Sequence, residues 1–189
     1  MCLRDLSLEC HVNADFAGNY NAKEVNNPAT MQSHTRFVIT LGSVPVLWKS
    51  VVQTEIAIST LEAEYIALST VMRKLIQLQT VLFEMKNTFG LKISNNLSMI
   101  STVFEGNWAC YILATTDPPH MTPRLKSLAV KYHWFRSHLS EYWIVIKDIV
   151  IRRDLSHSSV ALLLFTWSSL TTAVNQLTTT PVWLSFRHD

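Results

Sequence analysis

Hydrophobic and polar residues alternate strictly from Leu8 to Asp15. Leu8, Cys10, Val12 and Ala14 fall on one side, and Glu9, His11, Asn13 and Asp15 on the other. A period of two is that of a strand with one buried face. The Asn-rich stretch 18–27 and Pro28 read as a loop. Two strand-like runs follow, RFVITL from Arg36 and PVLWKS from Pro45, joined through Gly42 and Ser43 as a hairpin would be. EIAIS from Glu55 is a candidate for a further short strand.

From Leu61 the period lengthens to that of a helix. Leu61, Tyr65, Leu68, Met72, Leu75 and Leu82 fall near one stripe, with Ser59 and Glu62 spaced as a capping box. The polar stretch 87–98 reads as a linker, positions 99–104 as a strand and 108–113 as a short helix. Pro118, Pro119 and Pro123 enforce a second loop. Leu128, Tyr132, Phe135 and Leu139 mark another amphipathic helix, and YWIVIKDIV from Tyr142 a last strand. The apolar stretch 160–174 is interrupted by Thr166, Ser168, Ser169, Thr171 and Thr172. It falls short of the ~20 apolar residues of a membrane helix and reads as a core segment. This order of three or four strands, helix, strand, two helices, strand and helix predicts an α/β domain with a mixed sheet.

Composition narrows the picture. With 189 residues, 48% of them apolar, the chain can bury one substantial core, so one domain is expected over 1–174, with 175–189 an irregular tail. Sixteen basic against fourteen acidic residues leave a net charge of +2, so attraction for a polyanion has to come from a local patch. Cys2, Cys10 and Cys110 are too scattered for a metal site and too few for a disulfide framework, which suits a reducing compartment. The N-terminal MCLRDLSLEC has no apolar stretch of signal-peptide length. An intracellular protein, in cytoplasm or nucleus and neither secreted nor in a membrane, is expected.

For chemistry, the acids at the inner ends of elements matter most. A phosphodiester cut by two metal ions needs several carboxylates converging on one point, because hard cations want charged oxygen ligands. Asp15 and Glu64 are the candidates. Glu64, three residues after Leu61 and four before Leu68, projects toward the sheet or is a solvated helix-surface acid. Asp15 is a ligand or a turn residue.

Several blocks then agree with one family in sequence and in order: NADFAGNY, RFVITLGSVPVLWKS, QTEIAISTLEAEYIALS, VFEGNWACYILA and MTPRLKSLAVKYHWFRSHL. Together they resemble the ribonuclease H domain of copia-type retrotransposon polyproteins, over positions 8–139 and faintly on to 174. The resemblance implies a mixed five-stranded sheet flanked by helices. It also implies magnesium held by four acids and cleavage of the RNA strand of an RNA–DNA hybrid, sensed through its shape and 2′-hydroxyls. The parent polyprotein would supply reverse transcriptase and integrase.

Carried over position by position, the implied site is depleted. The family's first Asp corresponds to Asn13, the second acid is kept as Glu64, the third Asp corresponds to Gly106, and the fourth falls among Leu162, Leu163 and Leu164. The family's Gln after Asn is Trp108, and the His of its Thr-Lys-His triplet is Ser127. Asp15 and Glu105 are weak substitutes as metal ligands, and Glu105 is expected to alternate away from Gly106. Trp108 and the leucines add apolar bulk expected to fill the pocket. Arg124, Lys126, Lys131 and Arg136 form either a phosphate-contacting patch or a solvated helix face. The resulting expectation is an inactive copy; a non-catalytic nucleic-acid-binding module and a still-active hybrid ribonuclease are the alternatives.

Overall fold

The computed structural model describes residues 7–24, 26–42, 44–89, 100–117 and 123–149. All belong to the unit Met1–Val150. Five strands form one mixed sheet: β1 (Leu8–Asp15), β2 (His34–Leu41), β3 (Val44–Val52), β4 (Ser101–Glu105) and β5 (Ile144–Asp148), in the order β3-β2-β1-β4-β5. The first three pair antiparallel, whereas β4 runs parallel to both β1 and β5. Helix α1 (Thr60–Phe89) follows β3, and α2 (Trp108–Thr115) and α3 (Pro123–Tyr132) lie between β4 and β5. A 3-10 turn, His133–His138, continues from α3. The expected α/β architecture, a mixed five-stranded sheet with flanking helices, is what these residues build.

Register explains where the core lies. Val12 pairs with Phe37 and Glu105, Cys10 with Ile39 and Val103, and Val103 with Ile146. Residues directly opposite one another share a face, so these side chains form one continuous surface, and all are buried. Helix α1 packs on β1 and β2 with Tyr65, Leu68, Met72 and Leu75 fully buried, and Leu61 and Leu82 partly so. Truncating Leu68 or Met72 to Ala would cost about 2–5 kcal/mol through lost burial and a cavity. The buried Gln79 fastens the helix to the sheet, donating to Ser101 Oγ at 2.6 Å and to the Tyr142 carbonyl at 2.9 Å.

Three expectations need correction. EIAIS is no strand: residues 53–59 form an irregular approach to α1 in which Ile56 and Ile58 are exposed and Ala57 is buried. The run is spent on starting the helix, because the Glu62 carboxylate accepts from Ile58 N–H at 2.8 Å while Glu62 N–H donates to Ser59 Oγ at 3.2 Å. Helix α1 also runs on through Asn87 to Phe89, into the expected linker, leaving Val81, Phe83, Met85 and Phe89 exposed. Finally, His11 was placed on the polar side but is buried, stacked on Phe104 with ring centroids 4.7 Å apart. The core segment expected at 160–174, the domain end at 174 and the tail 175–189 lie outside the described residues. No described helix is long and apolar enough to cross a membrane.

Candidate functional site

The carboxyl ends of the two central parallel strands meet the first turns of α1. Glu64, 8% exposed, reaches from the helix to the end of β1, where Ala14 N–H donates to its Oε2 at 2.6 Å. Glu105, fully buried, closes β4; its Oε1 accepts from Asn107 N–H at 2.9 Å, while Oε2 is buried without a hydrogen bond. The strand stops at Glu105, so the parity that turns Ser101, Val103 and Glu105 toward α1 does not constrain Gly106. Glu105 therefore faces Glu64. Sequence reasoning gave Glu105 only a weak supporting part, although the alternation Ser101, Val103, Glu105 already put it on the core face.

Two carboxyl groups buried together hold their protons tightly. Burial, then the neighbouring Glu105, raises Glu64 to about 8, opposed by the Ala14 N–H. Burial raises Glu105 to about 7, opposed by the Asn107 and Gly106 N–H groups and the Cys110 thiol, with Asp148 adding to the rise. Burial also pushes the Cys110 thiol up, with both glutamates adding to it, so no reactive thiolate forms there.

The other sequence-predicted positions are distributed as follows. Asn13 is exposed at the end of β1, one residue past the Val12–Glu105 pair. Gly106 is exposed, and a Cβ built on it would touch nothing within 4 Å. Asp15 is committed elsewhere: its Oδ2 pairs with the Arg36 guanidinium at 3.1 Å, and its carboxylate packs over Gly18. It is a turn-anchoring residue. Trp108 does not fill the pocket; it is 61% exposed at the start of α2. Leu162, Leu163 and Leu164 lie outside the described residues.

The basic candidates separate in the same way. Lys126 is exposed on α3, as a polyanion contact requires, while the side chains of Arg124 and Lys131 on that helix are outside the described set. Arg136 is turned inward, its side chain 14% exposed. It donates to the carbonyls of Leu113 at 3.3 Å and Thr116 at 2.5 Å, satisfying groups that the end of α2 leaves unpaired. Its NH1 also donates to His133 Nε2 at 2.9 Å, so the imidazole proton sits on Nδ1, which faces the Tyr65 hydroxyl. Arg136 thus ties α1, α2 and the 3-10 turn together.

Comparison with known proteins adds the fold name. No protein-family model matches the sequence, and no curated protein matches it. Among solved structures, prototype foamy virus protease-reverse transcriptase superposes with a TM-score of 0.55 at 11% identity, over 88% of this chain and 20% of that one. This chain therefore corresponds to a fifth of the viral chain. LC11-RNase H1, isolated from compost by a metagenomic approach, gives a TM-score of 0.49 at 18% identity, covering 79% of this chain and 88% of that one. The N-terminal RNase H domain of rv2228c from Mycobacterium tuberculosis, solved as a fusion with maltose binding protein, gives 0.49 at 10% identity, covering 88% and 99%. These identities speak of fold alone. The chain has a ribonuclease H-like fold.

In a ribonuclease H-like domain the carboxyl ends of the central strands are where the resemblance puts magnesium. The donor set among the described residues does not fit a pair of such ions. Hard divalent cations want several charged oxygens converging. Here Glu64 Oε2 and Glu105 Oε1 are taken by backbone N–H groups, Asn13 offers only a neutral amide, and Gly106 has no side chain. Among the described residues no group of three or more His, Cys, Asp or Glu is placed to hold a metal ion.

Proposed function

We propose that this chain is the ribonuclease H-like domain of a copia-type retrotransposon polyprotein in a copy that does not cleave RNA–DNA hybrids. The copia-type reading is supported by the five ordered sequence blocks, EAEYIALS above all; NADFAGNY lies at the end of β1, EAEYIALS in α1 and VFEGNWACYILA across β4 and α2. In such a polyprotein, reverse transcriptase and integrase are the companion parts. The observation that carries the loss of cleavage is the state of the one retained acid. Glu64 is buried beside Glu105 and bonded to a backbone N–H, with Asn13 and Gly106 at the neighbouring strand ends. Among the described residues, phosphodiester hydrolysis through two cations has no pair of converging outward carboxylates to work from.

The test is cleavage of a labelled RNA–DNA hybrid by the purified chain in magnesium and in manganese. No cleavage above background is expected. Robust cleavage lost in Glu64→Gln would refute the proposal. Binding of the hybrid without cleavage is supported by the exposed Lys126 on a helix that also carries Arg124 and Lys131. Such binding weakens steeply as salt rises.

A further inference from the structure

One cluster of polar groups sits where three elements meet and plays no part in the proposed function. His133 opens the 3-10 turn, and both of its ring nitrogens are in use. Nδ1 faces the hydroxyl of the fully buried Tyr65 on α1, and Nε2 accepts from Arg136 NH1 at 2.9 Å. A guanidinium has only donors, so that bond exists only while Nε2 carries no proton. The same guanidinium holds the end of α2, through the carbonyls of Leu113 at 3.3 Å and Thr116 at 2.5 Å.

The other titratable and charged groups nearby stand off from the ring. From α2, the Cys110 thiol acts on Tyr65 and stays protonated, because burial pushes it up. Asp117, just past α2, lies 3.9 Å from Arg136 NH2 with its side chain 91% exposed. Arg73 of α1 and His138 of the turn lie against Trp134 instead. Among the described residues no carboxylate pairs with His133.

We propose that His133 is a proton-operated latch on the end of α2. Neutral, it fixes Arg136 against the Leu113 and Thr116 carbonyls; protonated, it expels the guanidinium toward Asp117 and solvent, and the last turn of α2 frays. A proton on Nε2 sets an N–H against an N–H and a cation against a cation across 2.9 Å, in a half-buried place where water screens poorly. Burial, then Arg136, holds the ring below the ordinary histidine range, so the latch is shut near neutrality and opens as pH falls. Once Arg136 has left, the two carbonyls turn to water. The opening is local, because Phe135 is fully buried and Trp134 keeps its bond to Ser69 Oγ at 2.8 Å. This device goes beyond the non-cleaving reading and does not require it.

The experiment follows amide hydrogen exchange of the full chain by NMR between pH 7.5 and 5, corrected for the intrinsic pH dependence of exchange. The reporter is Thr116 N–H, which donates to the Ile112 carbonyl at 3.0 Å in the last turn of α2. Its corrected exchange is expected to rise about 10-fold as pH falls, the effect of losing one hydrogen bond to a charged group, while the amides of β4 stay unchanged. In His133→Gln the rise should vanish, because a Gln amide can accept from Arg136 and donate to Tyr65 without titrating. Glu64 and Glu105 take up protons across the same range in both proteins, so the comparison isolates His133. The ring nitrogen shifts of His133 in the unmodified chain need no variant: Nδ1 protonated and Nε2 bare are expected at pH 7.5. Flat corrected exchange at Thr116, an equal rise in His133→Gln, or a proton on Nε2 at pH 7.5 would each overturn the proposal. Hybrid cleavage in metal would overturn the non-cleaving reading while leaving the latch standing.

Discussion

Replacing Glu64 by Gln should make this protein more stable in alkali and change little in acid. A carboxyl that holds its proton more tightly when folded contributes stability that is complete below its unfolded value, about 4.5, and is lost as pH climbs to the folded value. For Glu64 that window runs from about 4.5 to about 8, and for Glu105 from about 4.5 to about 7. At ~1.4 kcal/mol per tenfold change in proton affinity, ionising Glu64 costs the fold on the order of 5 kcal/mol once pH exceeds 8. A Gln amide keeps an oxygen for the Ala14 N–H and never ionises. Urea unfolding from pH 4.5 to 9 should therefore show the two proteins within about 0.5 kcal/mol at the acid end and separated by about 4–5 kcal/mol in favour of Glu64→Gln at the alkaline end. Part of the Glu64 elevation comes from Glu105, so the double Gln variant should gain less than the two single gains together. A pH-independent difference between Glu64→Gln and the unmodified chain would refute the reasoning.

Other predictions follow from the same geometry. Trp143, 68% exposed, sits at φ 53°, a backbone region that costs an L-residue about 1–2 kcal/mol. Trp143→Gly should raise the melting temperature by about 2–4 °C in differential scanning calorimetry, a net gain of ~1 kcal/mol. Gly18→Ala places a Cβ 2.2 Å from Asp15 Oδ2, forcing that carboxylate off Arg36; a loss of about 1 kcal/mol in urea unfolding is expected. Arg136→Ala strips the end of α2 of its donors and should cost about 2 kcal/mol, whereas Lys126→Ala should leave stability unchanged and lower the salt dependence of hybrid binding. His133 is held below its ordinary value by burial and then by Arg136, so the stability tied to it should fall as pH drops below about 6.5. Replacing it with Gln should flatten that acid limb.

Strands β1 to β3 and the core of α1 were legible because period and burial coincide there: Leu8, Cys10 and Val12, and Tyr65, Leu68, Met72 and Leu75, are buried as the pattern requires. Where an element ends, pattern fails. Glu105 is the last residue of β4 and still obeys strand parity, and only the stop after it frees Gly106 from that parity. The apolar EIAIS imitates a strand because its isoleucines look buried, yet the backbone there is occupied by the cap on α1. Asp15 and Arg136 were offered as ligand and phosphate contact, and their charges were correctly noticed. Their partners, Arg36 and the carbonyls at the end of α2, are 20 to 23 residues away in the chain and invisible to any local reading.

The reach of α1 bears on how the protein can be handled. Thirty residues make a rod of about 45 Å, whereas a five-residue strand such as β4 spans about 17 Å. The rod outruns the surface that shelters it, and its last turns present Val81, Met85 and Phe89 to solvent. Exposed apolar side chains of this kind are where a purified sample is expected to become sticky. Glutamate in place of Phe89, itself 68% exposed, is accordingly the simplest remedy for poor solubility.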